Sequence, residues 1–220
     1  MKNIKAIVFD AYGTLFDVNS AAEKCKDKIG DKWESFANYW RTTQLEYTWL
    51  RSLMKRHKDF WHVTEESLDK SMKAFKINNS MKNELLNLYK VLSPYPEVKE
   101  VLKSLKAKKY KLAILSNGTP ILLNELVKSN NLDGVFNDLF SIEEVKIYKP
   151  DSKVYDMPIK KYQIKNEEIA FLSANTWDVS GGGNYGYNAI WVNRNNNVFD
   201  NLDYKPKNEI NNLTQLLAIV

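Results

Sequence analysis

Scarcity is informative in this 220-residue chain, which has one cysteine, two histidines, four arginines and no long apolar run. The lone Cys25 excludes an intramolecular disulfide and a four-thiolate zinc site, and a free thiol fits a reducing compartment. No stretch nears the ~18 consecutive apolar residues of a membrane span. Near the start only Ala6, Ile7, Val8 and Phe9 precede the carboxylate of Asp10, too few for a secretory core. These absences predict a cytoplasmic protein with no membrane partner. His57 and His62 both fall in a stretch without strand character, which suits surface or partly packed histidines better than a general base.

An excess of one charge is lacking too: 32 basic residues against 27 acidic leave a net charge of +5. The excess is dispersed, with Lys24, Lys26, Lys28 and Lys32 in one loose run and Lys103, Lys106, Lys108, Lys109 and Lys111 in another. Both spacings suit solvated helix faces, so no nucleic-acid partner is expected. Arg41, Arg51, Arg56 and Arg194 are the only guanidinium groups, and a planar fork is the better anion receptor, so each is a stronger site candidate than any lysine.

What is present is an ordinary globular composition, 44% hydrophobic and 27% charged, which excludes disorder and allows a sizeable core. Short apolar segments rich in β-branched residues predict strands at Ile4 to Phe9, Lys111 to Leu115, Asp138 to Ser141, Glu168 to Leu172 and Ala189 to Val192. Helical stretches separate the later ones: Glu97 to Lys108, Pro120 to Ser129, Lys153 to Tyr162 and Trp177 onward. The alternation predicts an α/β fold, a three-layer Rossmann-like core around a mostly parallel sheet. Between the first two strands lie amphipathic stretches at Ser20 to Ile29, Trp33 to Arg56, Glu65 to Phe75 and Met81 to Leu88. They read as an inserted helical cap, residues 17–93, with residues 1–16 and 94–220 as the core. Pro94 and Pro96 mark the return linker. Asn193 to Asn212 reads as a surface loop and Leu213 to Val220 as a closing apolar helix.

Ligands of such sheets bind at the carboxyl ends of the strands. The predicted strand ends carry Asp10 and Thr14, then Ser116-Asn117-Gly118, then Lys149-Pro150, then Ser173-Ala-Asn175-Thr-Trp177-Asp178. Two carboxylates, a lysine and several hydroxyls on one sheet edge form a candidate site by placement.

These residues, in this order, resemble the haloacid dehalogenase superfamily. The set Asp10-x-Tyr12-Gly13-Thr14-Leu15, Ser116-Asn117-Gly118, Lys149-Pro150 with Tyr155, and Ser173-x-Asn175-x-Trp177-Asp178 is similar to its L-2-haloacid dehalogenases. The likeness extends into the insertion through Trp40-Arg41, Gln44 to Arg51 and Asp59-Phe60-Trp61. It implies hydrolysis of short (S)-2-haloalkanoic acids to (R)-2-hydroxy acids through an aspartyl ester on Asp10, since a carboxylate is a nucleophile at neutral pH without a base. Lys149 would hold Asp10 ionised and aimed, and Thr14 would bond the same region. Asp178, with Asn175, Ser173 and Tyr155, would handle the hydrolytic water or hold Lys149. Arg41 would receive the halide. Ser116, Asn117 and the amides after Asp10, at Ala11 and Tyr12, would take the substrate carboxylate. Leu45, Phe60 and Trp177 would form an apolar wall. Homodimers are implied as well, and closure of the cap would bring Arg41 to Asp10.

Phosphatases of the superfamily have a second aspartate two residues after the nucleophile, working with Mg2+. This chain has Tyr12 there, and halide needs no proton to leave, so neither a metal nor another cofactor is expected. The triplet Gly181-Gly182-Gly183, where a helix should follow Asp178, suggests a loosened turn, since each glycine costs up to ~1 kcal/mol of helix propensity. Two other readings stay open: a phosphatase with an unusual acid, and a non-catalytic protein that binds an organic acid or a partner.

Overall fold

The structure, a computed structural model, describes Met1 and residues 3–220; Lys2, within the predicted 1–16 core segment, lies outside the described residues. Among the described residues six strands make one sheet in the order β3-β2-β1-β4-β5-β6. They are β1 (Ala6–Phe9), β2 (Lys111–Ser116), β3 (Asp138–Ser141), β4 (Ile169–Ser173), β5 (Asn188–Val192) and β6 (Asn208–Ile210), and every neighbouring pair is parallel. The central β1 is buried at all its positions because it has strands on both sides and helices on both faces, hence its unbroken apolar run.

Between β1 and β2 lie α1 (Ser20–Glu23), α2 (Lys26–Ile29), α3 (Trp33–Leu53), α4 (Phe60–Phe75) and α5 (Lys82–Lys90), the helical cap. The core helices are α6 (Val98–Ala107), α7 (Pro120–Ser129), α8 (Ser152–Tyr162) and α9 (Thr176–Tyr185). The chain leaves β1 in one direction along the sheet and returns past it in the other, so right-handed crossovers put α6 and α7 on one face and α8 and α9 on the opposite one. The two chain crossings between core and cap are zipped together: Tyr95 N–H donates to Leu15 O at 3.0 Å and Asp17 N–H to Ser93 O at 2.8 Å.

Local chemistry explains the helix starts. Thr119 caps α7 by accepting from Leu122 N–H at 3.3 Å, with Pro120 in the first turn. Asp59 caps α4 from His62 N–H at 2.8 Å, so that helix begins at Phe60 rather than at the expected Glu65. The stretch Ser20 to Ile29 is broken at Cys25 into two single turns. The expected surface loop of Asn193 to Asn212 contains β6, whose short, mostly polar sequence carries no apolar run to betray it. The closing helix is a 3-10 turn, Leu213–Ala218, in which only Leu213 and Leu216 are buried.

The loosened turn expected at the glycine triplet is wrong. Helix α9 runs through Gly181, Gly182 and Gly183 without interruption. Their need is steric: a Cβ on Gly181 would overlap the Tyr155 hydroxyl and lie 2.7 Å from Pro150 Cβ, one on Gly182 would lie 2.7 Å from the Phe171 ring, and one on Gly183 would overlap atoms of the Tyr204 ring. Packing against three aromatic rings outweighs about 1 kcal/mol of helix propensity at each position.

Candidate active site

The ends of β1, β2 and β4 are adjacent in register, which brings Asp10, Asn117 and the segment from Ser173 to Asp178 to one edge of the sheet. Asp10 is 5% exposed, so its carboxylate depends on protein partners. Oδ2 accepts from Asn175 Nδ2 at 2.9 Å, Thr14 Oγ1 at 3.0 Å and Ser173 Oγ at 3.5 Å. Oδ1 accepts from Lys149 Nζ at 3.2 Å. Thr14 Oγ1 in turn accepts from Ala174 N–H at 2.8 Å, stitching the turn after β1 to the end of β4.

Lys149 is fully buried and bridges two carboxylates, reaching Asp178 Oδ2 at 2.8 Å. Tyr155 donates to Asp178 Oδ1 at 2.7 Å. Burial pushes the Asp178 carboxyl above its usual range; Lys149 opposes this, and the negative charge of Asp10 adds to it. Tyr155 is pushed up as well, by burial and then by Asp178, so its hydroxyl stays a donor. The expected grouping of Asn175 and Ser173 with Asp178 therefore divides: these two serve Asp10, and Tyr155 alone of the three bonds Asp178.

Ser116 and Asn117 shape the loop after β2. Ser116 Oγ accepts from Gly118 N–H at 3.1 Å, which leaves its own proton to be given away, and Asn117 Oδ1 accepts from Lys149 N–H at 3.1 Å. Ala11 is buried, and its carbonyl accepts the amides of Leu15 and Phe16, both at 3.0 Å. The ring of Tyr12 lies 5.1 Å from that of Phe60 and stacks on Tyr89 at 5.7 Å, while Gly118 has no room for a side chain beside it.

From α3 the cap delivers Arg41, whose Nη2 donates to Tyr12 O at 3.4 Å and whose Nη1 donates to Gln44 Oε1 at 2.9 Å. Asn175 Nδ2 donates to the same Tyr12 carbonyl at 3.3 Å. One backbone oxygen thus brings the cap arginine and the residue bonded to Asp10 to a common point. Leu45 and Trp177 are half-buried and Phe60 is fully buried. Trp177 meets Trp49 of α3 edge-on, with centroids 5.4 Å apart. Of the other arginines, Arg51 pairs with Glu66 within the cap. Arg194 donates to Thr14 O at 2.8 Å and to Glu97 at 2.7 Å and lies over the Tyr95 ring at 3.7 Å, bracing the loop that holds Thr14. The histidines stand apart: His57 contacts Glu143 across the cap-core boundary at 3.2 Å, and His62 contacts Glu66 within the cap at 3.1 Å.

Sequence reading missed Tyr89 and gave Gln44 and Trp49 no role of their own within the Gln44 to Arg51 stretch, whereas Arg194 was among the four candidate guanidinium groups and braces Thr14. A signal existed for Gln44, which lies one turn after Arg41 on the same helix face. None existed for Tyr89, which arrives from a distant part of the chain.

The fold and site define a capped α/β protein with a buried, lysine-paired carboxylate at the carboxyl edge of its sheet. Residues 4–186 match the family model described as haloacid dehalogenase-like hydrolase. The chain is 38% identical to the (S)-2-haloacid dehalogenase of Pseudomonas fluorescens, covering 98% of this chain and 96% of that one. It is also 38% identical to (S)-2-haloacid dehalogenase 4A of Burkholderia cepacia, over 99% and 95% of the two chains. The L-2-haloacid dehalogenase of Xanthobacter autotrophicus, solved with chloropropionic acid covalently bound, superposes with a TM-score of 0.91 at 31% identity over 98% of both chains. The chain belongs to the haloacid dehalogenase-like hydrolases and, within them, to the (S)-2-haloacid dehalogenases.

Proposed function

We propose that the protein hydrolyses short (S)-2-haloalkanoic acids to (R)-2-hydroxyalkanoic acids, with Asp10 as the nucleophile. The observation that carries this is the unequal holding of the Asp10 carboxylate, with Oδ2 gripped by Asn175, Thr14 and Ser173 and Oδ1 bonded by Lys149. Oδ1 is the freer oxygen to attack the carbon from the side opposite the halogen, which leaves as halide with inversion. Oδ2 becomes the ester carbonyl, and its donors are those needed to stabilise an oxyanion when water adds to the carboxyl carbon. Asp178, with its pKa raised, is the group that takes the proton of that water. Cleavage returns Asp10 as a carboxylate and releases the hydroxy acid.

Arg41 receives the halide, and Ser116, Asn117 and the amides of Ala11 and Tyr12 bind the substrate carboxylate. Leu45, Phe60 and Trp177 exclude water until the ester has formed. The cap of residues 17–93 closes on the core of residues 1–16 and 94–220 to bring Arg41 to Asp10, and the enzyme works as a cytoplasmic homodimer. Among the described residues no helix is long and apolar enough to cross a membrane. The phosphatase reading needs an acidic side chain two residues after Asp10; the residue there is Tyr12, its ring committed to Phe60 and Tyr89.

The test is halide release from (S)-2-chloropropionate in the presence of EDTA, with the (R) enantiomer alongside. Turnover of the (S) form alone is expected. Release from neither, with Mg2+-dependent hydrolysis of aryl phosphates, would overturn the assignment.

A further inference from the structure

Gln44 is 1% exposed on α3 and sits between Arg41 and two hydroxyls from other cap helices. Its Nε2 donates to Thr64 Oγ1 of α4 at 2.7 Å and to Tyr89 OH of α5 at 3.0 Å, and its Oε1 accepts from Arg41 Nη1 at 2.9 Å. Proton bookkeeping fixes this orientation. Arg41 can only donate, so the amide oxygen faces it and the amide nitrogen faces Thr64, whose hydroxyl gives its one proton to Phe60 O at 2.7 Å.

We propose that Gln44 is a positioning residue that aims Arg41 at the departing halide while leaving its charge uncancelled. The inference rests on the halide-receiving role of Arg41 proposed above. A neutral amide oxygen anchors one arm of the guanidinium, and Tyr12 O takes the other at 3.4 Å. A carboxylate at position 44 would aim the guanidinium equally well but would neutralise the cation the halide needs. Selection of an amide here is thus a requirement of charge rather than of shape.

The isosteric change Gln44→Glu separates the two. The hydroxyls of Thr64 and Tyr89 can both turn to donate to a carboxylate, so the cap packing survives, whereas Gln44→Leu leaves the Tyr89 hydroxyl and Arg41 Nη1 without this partner. Positioning by a neutral acceptor predicts that Gln44→Glu is the more damaged enzyme: kcat lower and the bromide inhibition constant higher by roughly tenfold or more, with KM held. Gln44→Leu keeps the charge of Arg41 and loses less. A purely structural role predicts the reverse order. Thermal melting establishes that each variant is folded, and if Gln44→Glu is not, Tyr89→Phe takes its place with an expected weakening of bromide inhibition of about threefold. Arg41→Ala is run beside them. If Arg41→Ala is inactive while Gln44→Glu, or in its place Tyr89→Phe, binds bromide like the parent, or if Gln44→Leu is the worse variant, this proposal alone falls. If Arg41→Ala turns over normally, it falls together with the halide role of Arg41.

Discussion

The hydroxyl of Tyr155 donates to Oδ1 of Asp178 at 2.7 Å, and that bond decides which oxygen of Asp178 faces the rest of the site. Oδ2 is left to Lys149 at 2.8 Å, and the same ammonium reaches Asp10 at 3.2 Å. The two carboxylates are thus bound to one buried cation, and each has further donors that keep its role distinct. The nucleophile has its own set in Thr14, Ser173 and Asn175, and the second carboxylate has Tyr155.

That division predicts separate failures for the two half-reactions. Asp10→Asn is expected to lower halide release by roughly a thousandfold or more, since an amide oxygen is a poor nucleophile for displacement. Asp178→Asn is expected to release about one halide per site and then stop. Rapid-quench halide measurement and intact-protein mass spectrometry check both, the second variant showing the added mass of the carboxyalkyl ester. Steady turnover by Asp178→Asn would remove Asp178 from the hydrolytic step.

The pH dependence should split in the same way. Burial raises the Asp178 carboxyl and the Asp10 charge adds to this, against the pull of Lys149. A base must be ionised to act, so ester hydrolysis rises as pH climbs through that raised value and fails on acidification before ordinary carboxylates protonate. Quenching the reaction across the acid range should show the ester accumulating as pH falls. Parallel loss of both halves would contradict this.

Gly181→Ala tests the packing of α9. In an unconstrained helix the change gains up to ~1 kcal/mol, but here the new methyl overlaps the Tyr155 hydroxyl and lies 2.7 Å from Pro150 Cβ. The expected outcome is a less stable protein, by roughly 1–3 kcal/mol as overpacking costs, with slower ester hydrolysis because Tyr155 is pushed off Asp178. Chemical denaturation and single-turnover kinetics measure the two effects.

Metal removal should leave turnover intact. The cation that the two carboxylates share is Lys149 Nζ, and position 12 supplies a buried tyrosine rather than a second acid. Dialysis against EDTA followed by assay of (S)-2-chloropropionate is expected to give unchanged kcat, and restoration by Mg2+ of a lost activity would refute it.

Much of this was legible in the chain. The unbroken apolar run Ala6 to Phe9, the turn signals after each strand and the amphipathic stretches between the first two strands define a buried parallel sheet with a helical insertion. Asp10, Lys149 and Asp178 could be named because they follow a strand, precede a helix or fall in the first turn of one, and strand ends converge in such a sheet. What the sequence could not decide was anything set by contacts between distant segments. The glycine triplet looks like a break when judged by propensity, a local quantity, and proves to be a helix because rings from Tyr155, Phe171 and Tyr204 occupy the space of the missing side chains. Likewise β6 is too short and polar to announce itself and exists through its pairing with β5. The partners of each carboxylate oxygen, the support of Arg41 by Gln44 and the pull of burial on Asp178 depend on distances of a few ångströms between residues far apart in sequence. Residue types and their order set the chemistry available to this protein, and only the packing of distant segments against one another decided which atoms share it.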